Sequence, residues 1–223
     1  MATVTQLTTD PVSGNEFVTK TKFNKWAADF ILSEPNPALN PPVYIMNAAL
    51  LNALNGDFLG QADVVAASFY FGIENANNER VLLLTGTRDS GQDAFNANQV
   101  FYLQASSASA LPLSTTAATA RSWAEAYKTA IGGNYSALNP GAFVFNKGFF
   151  NNLRNQASVA MIKVVRGLDD NSNNNLILVA ADASGNHLET ATAQYQFLEK
   201  SRPCPPYAGC NSATDTNRSN HQF

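Results

Sequence analysis

The stretch Ala38-Leu39-Asn40-Pro41 returns 99 positions later as Ala137-Leu138-Asn139-Pro140, and this return decides how the chain is read. Further matches follow in order on both sides. Upstream, Trp26-Ala27 answers Trp123-Ala124. Downstream, Asn47, Asn52 and Leu54 answer Asn146, Asn151 and Leu153. Gly72 then answers Gly167, Leu83 answers Leu178, Ser90-Gly91 answers Ser184-Gly185, and Leu103 answers Leu198. The spacing drifts only between 94 and 99, so the sequence reads as two tandem copies of one unit.

Within each copy the hydrophobic period changes once. Phe23, Trp26, Ala27, Phe30 and Ile31 fall on one helical stripe from Thr19, ended by Pro35 and Pro37. In the second copy Ala120, Trp123, Ala124, Tyr127 and Ile131 make the same stripe, ended by Gly132-Gly133. The two Trp residues sit among small apolar neighbours at helical spacing, which marks core rather than a ligand platform. After each Asn-Pro comes an apolar run, Val43 to Met46 or Ala142 to Phe145. Asn47 or Asn146 then stands where it would cap a short helix. That helix would bury Leu50, Leu51 and Leu54, or Phe149, Phe150 and Leu153, with Gly56 or Asn155 at its stop.

The pattern then turns to β. Val64 to Ile73 and Val81 to Thr85 flank a polar turn and predict a hairpin, as do Val159 to Leu168 and Leu176 to Ala180. A third strand follows at Gln99 to Leu103 or Gln194 to Leu198. A three-stranded sheet with one apolar face needs a cover, which the unit's own helices can supply. The expected fold is therefore α+β, with two tandem units, each helix, short helix and three-stranded antiparallel meander. Residues 1–16 form an N-terminal arm, 17–104 the first unit, 105–118 a linker, 119–200 the second unit and 201–223 a tail with Pro and Cys. Three prolines in Pro203-Cys204-Pro205-Pro206 make the start of that tail an extended strap.

Composition narrows the function. Of 223 residues 45% are hydrophobic, enough for a folded body, but only 14% are charged, against roughly 25% in ordinary domains. A surface of Asn, Gln, Ser, Thr and Ala is cheaper to desolvate, and a net charge of -3 repels like copies weakly. The 14 basic residues form no run, and with a pI near 5.3 this argues against nucleic acid. No apolar run is long enough to span a membrane. The start, Met1-Ala2-Thr3-Val4-Thr5, has neither a basic nor an apolar leader region, so the expected location is the cytoplasm.

Residues for catalysis are sparse. His187 follows the Ser184-Gly185-Asn186 turn and His221 lies in the tail, neither beside an evident nucleophile. Glu125, Asp182 and Glu189 read as solvated. The run from Asp169 to Asn175 alternates oxygen ligands, but Asn174 and Ala180 stand where a calcium loop needs Gly and Glu, so a polar hairpin tip accounts for it. Cys204 and Cys210 could be plain thiols, a small disulfide loop or half of a metal site. Arg166 is the most informative divergence between the copies, because Phe71 holds its place in the first. An ion pair at a sheet edge, or a contact to a ligand or neighbouring subunit, would explain it.

The Gly72-Ile73 strand end, the run Val81-Leu82-Leu83-Leu84-Thr85-Gly86 and the ending Pro203-Cys204-Pro205-Pro206 resemble a group of uncharacterised bacterial proteins from Bacteroidota. The resemblance implies no activity, cofactor or site residue.

The sequence thus points to a structural protein that assembles with itself, with no cofactor and no catalytic or metal site. Arg166, Phe71, Cys204 and Cys210 are the candidate interaction residues. The alternative is a binding module that holds a small ligand or peptide between the two units.

Overall fold

The computed structural model describes residues 16–37, 39–74, 76, 78–88, 93–96, 98–104, 112–133, 135, 139–154, 158–188, 199–200 and 202–204. The expected second turn at Ser90-Gly91, the strand at Gln194 to Leu198, Asn155, Cys210 and nearly all of both arms lie outside them.

Helix α1 (Lys20–Ser33) starts where the Thr19 hydroxyl accepts the amide of Lys22, and it buries Phe23, Trp26 and Phe30. Its counterpart α3 (Ala117–Ala130) is capped by Thr116 and ends at Gly132 and Gly133, both at positive φ. The Asn47 side chain caps α2 (Ala48–Leu54) through the amide of Leu50, and the Asn146 carbonyl oxygen accepts the amide of Gly148 in α4 (Lys147–Arg154). Gly56 does not stop α2. The chain runs on as a π-helical turn, Asn55–Leu59, because Phe58 and Leu59 are drawn into the core.

The apolar runs after each Asn-Pro are strands, β2 (Val43–Asn47) and β8 (Ala142–Asn146). The predicted hairpins are β3 (Val64–Ile73) with β4 (Arg80–Arg88), and β9 (Met161–Leu168) with β10 (Asn174–Ala181). Short strands complete the set: β1 (Glu16–Phe17), β5 (Asp93–Ala94), β6 (Val100–Leu103), β7 (Leu113–Thr115), β11 (Glu199–Lys200) and β12 (Arg202–Cys204). The linker therefore contains β7, which pairs with β6, and the Pro-containing strap begins as a paired strand.

Two antiparallel sheets result. One has the order β1-β11-β10-β9-β2. The other runs β12-β8-β3-β4-β6-β7, with β5 beside β4. The π-helical turn after α2 packs on β3 and β4 of its own half, as the sequence suggested, but the long helices do not. β2, from the first half, pairs with β9 of the second, and β8, from the second, pairs with β3 of the first. The registers correspond: Asn47 lies opposite Met161 and Val43 opposite Val165, while Asn146 lies opposite Ala66 and Ala142 opposite Tyr70. The helices cross over too, α1 packing on β9 and α3 on β3.

Alternation along the strands sorts the side chains into three cores. Phe69, Phe71, Leu82, Leu84, Phe143 and Phe145 from one sheet meet Tyr44, Met46, Ile162, Val164, Leu176 and Leu178 from the other in a shared interior. On one outer face Val81, Leu83 and Tyr70 pack under Trp123 and Ala120 of α3. On the other, Val165, Ile177 and Val179 pack under Phe23 and Trp26 of α1. The order of layers is helix, sheet, sheet, helix, with α2 and α4 helping to close the central core.

Candidate functional site

Phe71 on β3 and Arg166 on β9 are 95 positions apart in sequence and touch in space. The guanidinium carbon of Arg166 lies 4.6 Å from the centre of the Phe71 ring and 4.2 Å from that of Phe30. The cation is thus held between two aromatic faces, a geometry favoured by the ring quadrupole. Arg166 is not at a sheet edge: β9 lies between β10 and β2, and the residue is only 2% exposed. Nor does it bond a carboxylate directly among the described residues. Nη1 donates to the Asn40 carbonyl oxygen and Nη2 to that of Asn174 at 3.2 Å. The amide of Asn40 donates in turn to Glu34, so the nearest negative charge reaches the cation through an intervening amide. Backbone geometry locks the same place, because the Arg166 amide donates to the carbonyl of Pro42 at 2.8 Å. Asn40 belongs to the repeated Ala-Leu-Asn-Pro stretch, so the residues that open the sequence reading supply this contact.

Around this pair lie Tyr44, Tyr127 and Arg80. The Tyr44 hydroxyl donates to the carbonyl of Arg80 at 3.2 Å, and the Arg80 guanidinium sits 5.4 Å from the Tyr127 ring centre. Tyr127 in turn packs on Phe71, with ring centres 5.1 Å apart. Burial lowers the Arg166 pKa to about 10, so the side chain stays charged at neutral pH. Burial pushes the Tyr44 and Tyr127 phenols upward, and Tyr102 shifts the same way for the same main reason.

These shifts give an alkaline prediction. Below pH 10 the tyrosines are neutral in both folded and unfolded chains and contribute no slope. Above it the unfolded phenols ionise while the folded ones hold their protons, so stability falls as pH rises. Arg166 acts in the opposite sense between its folded pKa and the ordinary value of 12.5, so it offsets part of the tyrosine decline. Urea unfolding at pH 9, 10 and 11 should show the decline, and Tyr44→Phe should flatten it by up to about 1.4 kcal/mol per pH unit. An unchanged slope in that variant would contradict the assignment to Tyr44.

The remaining candidates are scattered. Cys204 stands in β12 opposite Ala142. His187 is half-buried, its ring edge-on to Phe23 at 5.6 Å. The Asp182 carboxylate accepts the amides of Asn186 and Ser184, and these bonds, Asn186 first, hold its pKa down. The Asp169 side chain accepts the amides of Asn171 and Asn173, closing its hairpin tip around Ser172 at positive φ. Trp26 and Trp123 are buried, as helical spacing predicts for core residues. Among the described residues no group of three His, Cys, Asp or Glu is placed to hold a metal ion, and no helix is long and apolar enough to cross a membrane.

One polar cluster was not foreseen. The Tyr70 hydroxyl donates to both oxygens of Asp93, at 2.8 and 2.9 Å. Ser68 and Thr87 share a 2.5 Å hydrogen bond on the same outer face of the sheet. Strand alternation placed Ser68, Tyr70, Thr85 and Thr87 on one face, so their grouping was readable, but their partner Asp93 arrives through β5. These bonds join hydroxyls to a carboxylate and satisfy polar groups on a mostly apolar face.

The surface shows a clearer asymmetry. Ile31, Leu32, Leu39 and Ile45 are the large hydrophobic side chains exposed among the described residues, Leu32 at 85% and Ile45 at 53%. All four fall between the last turns of α1 and β2, and β2 is the last strand of its sheet among the described residues. Against known proteins, the chain matches no family model, no curated protein and no solved structure.

Proposed function

We propose that this protein is a non-enzymatic structural subunit that works by associating with copies of itself. The observation that carries the reading is the apolar edge. Exposed strand edges are normally blunted by charge, yet no charged residue occurs from Pro35 to Gly56, the segment that contains β2. Four exposed large hydrophobics in and beside that segment add surface that water solvates poorly. A chain with 14% charged residues and a net charge of -3 pays little repulsion when such edges meet.

We also infer that the two halves are copies of one unit, 17–104 and 119–200, joined in tandem. The matched registers of β2 on β9 and β8 on β3 support this, as does the crosswise seating of the two Trp residues on the two glycines. Light scattering and sedimentation over a wide concentration range test the assembly reading. The expected result is a mass above the 23.9 kDa of one chain that rises with concentration to a plateau. A 23.9 kDa species at every concentration would remove it.

A further inference from the structure

The two sheets treat equivalent edges differently. β8 is closed on its outer side by β12, with Arg202 opposite Val144, Pro203 opposite Phe143 and Cys204 opposite Ala142. Pro203 has no N–H to donate, so this ladder is carried by Arg202 and Cys204 facing Val144 and Ala142. By the registers above, Ala142 and Val144 correspond to Val43 and Ile45 of β2. Along β2 the Arg166 amide donates to Pro42, so the even residues 42, 44 and 46 point their backbone groups at β9. Val43 and Ile45 therefore point theirs outward, where no strand lies among the described residues.

We propose that this edge is closed by the β2 of a second copy, antiparallel, with Val43 of each chain opposite Ile45 of the other and a two-fold axis at Tyr44. The proposal rests on the assembly reading above and names its interface. Backbone chemistry selects the register. Centred on Tyr44, the outward N–H and C=O of Val43 and Ile45 are all used in both copies. A pairing centred on Val43 would bring Ile45 to Pro41, which has no donor. One centred on Ile45 would bring Val43 to Asn47, whose carbonyl already serves the first turn of α2.

The occupant follows from the same edge. The segment is uncharged, so a like copy meets no repulsion, and Ile45 of one chain would lie against Val43 of the other on the same face. The nearest cation along this line is Lys163, opposite Ile45 on β9. Three strand spacings across and two residues along would set the two Lys163 positions about 16 Å apart, beyond the screening length of physiological salt. The product is one continuous sheet through both molecules. Because the contact is isologous it closes at two chains; the competing route is donation of the N-terminal arm, residues 1–16, as a strand to a neighbour's sheet edge.

Full-length Ile45→Lys and Ile45→Pro variants test this, with circular dichroism to check that each folds. The Ile45 amide points away from β9, so proline removes an intermolecular donor without breaking the β2–β9 ladder. The wild-type chain should plateau as a dimer, and each variant should weaken the dissociation constant by roughly tenfold to a hundredfold. Amide exchange at Val43 and Ile45 should slow as concentration rises. An association unchanged in both variants would overturn the edge pairing while leaving self-assembly standing. So would association lost only in a full-length Thr5→Pro, Leu7→Pro variant, since that would identify the N-terminal arm as the donor. A wild-type monomer throughout would overturn both readings.

Discussion

Arg166→Ala should lower the unfolding free energy by about 3–5 kcal/mol, while Arg166→Met should cost little or even stabilise the fold. The alanine leaves a void between the Phe30 and Phe71 rings and withdraws a donor from Asn40 and from Asn174. Methionine keeps an apolar stem between the rings, gains sulfur–aromatic contacts and abolishes the desolvation of a buried charge. Urea unfolding of the three proteins at pH 7 separates the two contributions. If methionine costs as much as alanine, the charge and its Asn40–Glu34 relay hold the site together. If alanine costs less than about 1 kcal/mol, the site is not a stabilising centre at all.

Gly72→Val and Gly167→Val should each destabilise by about 3 kcal/mol, and by similar amounts. A Cβ at Gly72 would stand 3.1 Å from the Cβ of Trp123 and 3.2 Å from Val81, and one at Gly167 would stand 3.1 Å from the Cβ of Trp26 and 3.3 Å from Ile177. A single methyl already crowds these contacts, and the branches of valine would lift α3 or α1 from its sheet. Chemical denaturation with near-ultraviolet dichroism of the two tryptophans measures both effects. A loss confined to one site would show that the helices seat differently despite their matching contacts.

Much of the fold could be read from the sequence because its signals are local. Phe23, Trp26 and Phe30 mark α1, and the polar tip after Ile73 marks the first hairpin, whose second strand runs on to Arg88 where the sequence suggested Thr85. What escaped was pairing. Val43 to Met46 is a plain apolar run, and nothing near it in sequence says that β9, more than a hundred residues on, is its neighbour. The same limit hid the central contact. Arg166 stood out because Phe71 occupies the corresponding place, yet only the crossing of segments between halves brings those two positions face to face. Gly56 misled for another reason: local stop chemistry lost to the burial of Phe58 and Leu59.

The crossing also governs how the molecule can come off the ribosome. When the first half has emerged, β2 and α1 exist without β9, and β3 exists without β8 or α3. Phe69 and Phe71 lack the strand that flanks them, Gly72 lacks Trp123, and Trp26 lacks the glycine it rests on. Neither sheet can finish its interior until the second hairpin has been synthesised, so the nascent first half must be kept from aggregating while it waits. Completion of both cores thereby waits on contacts far apart in sequence. A break between the halves would leave two fragments that each need the other as a template.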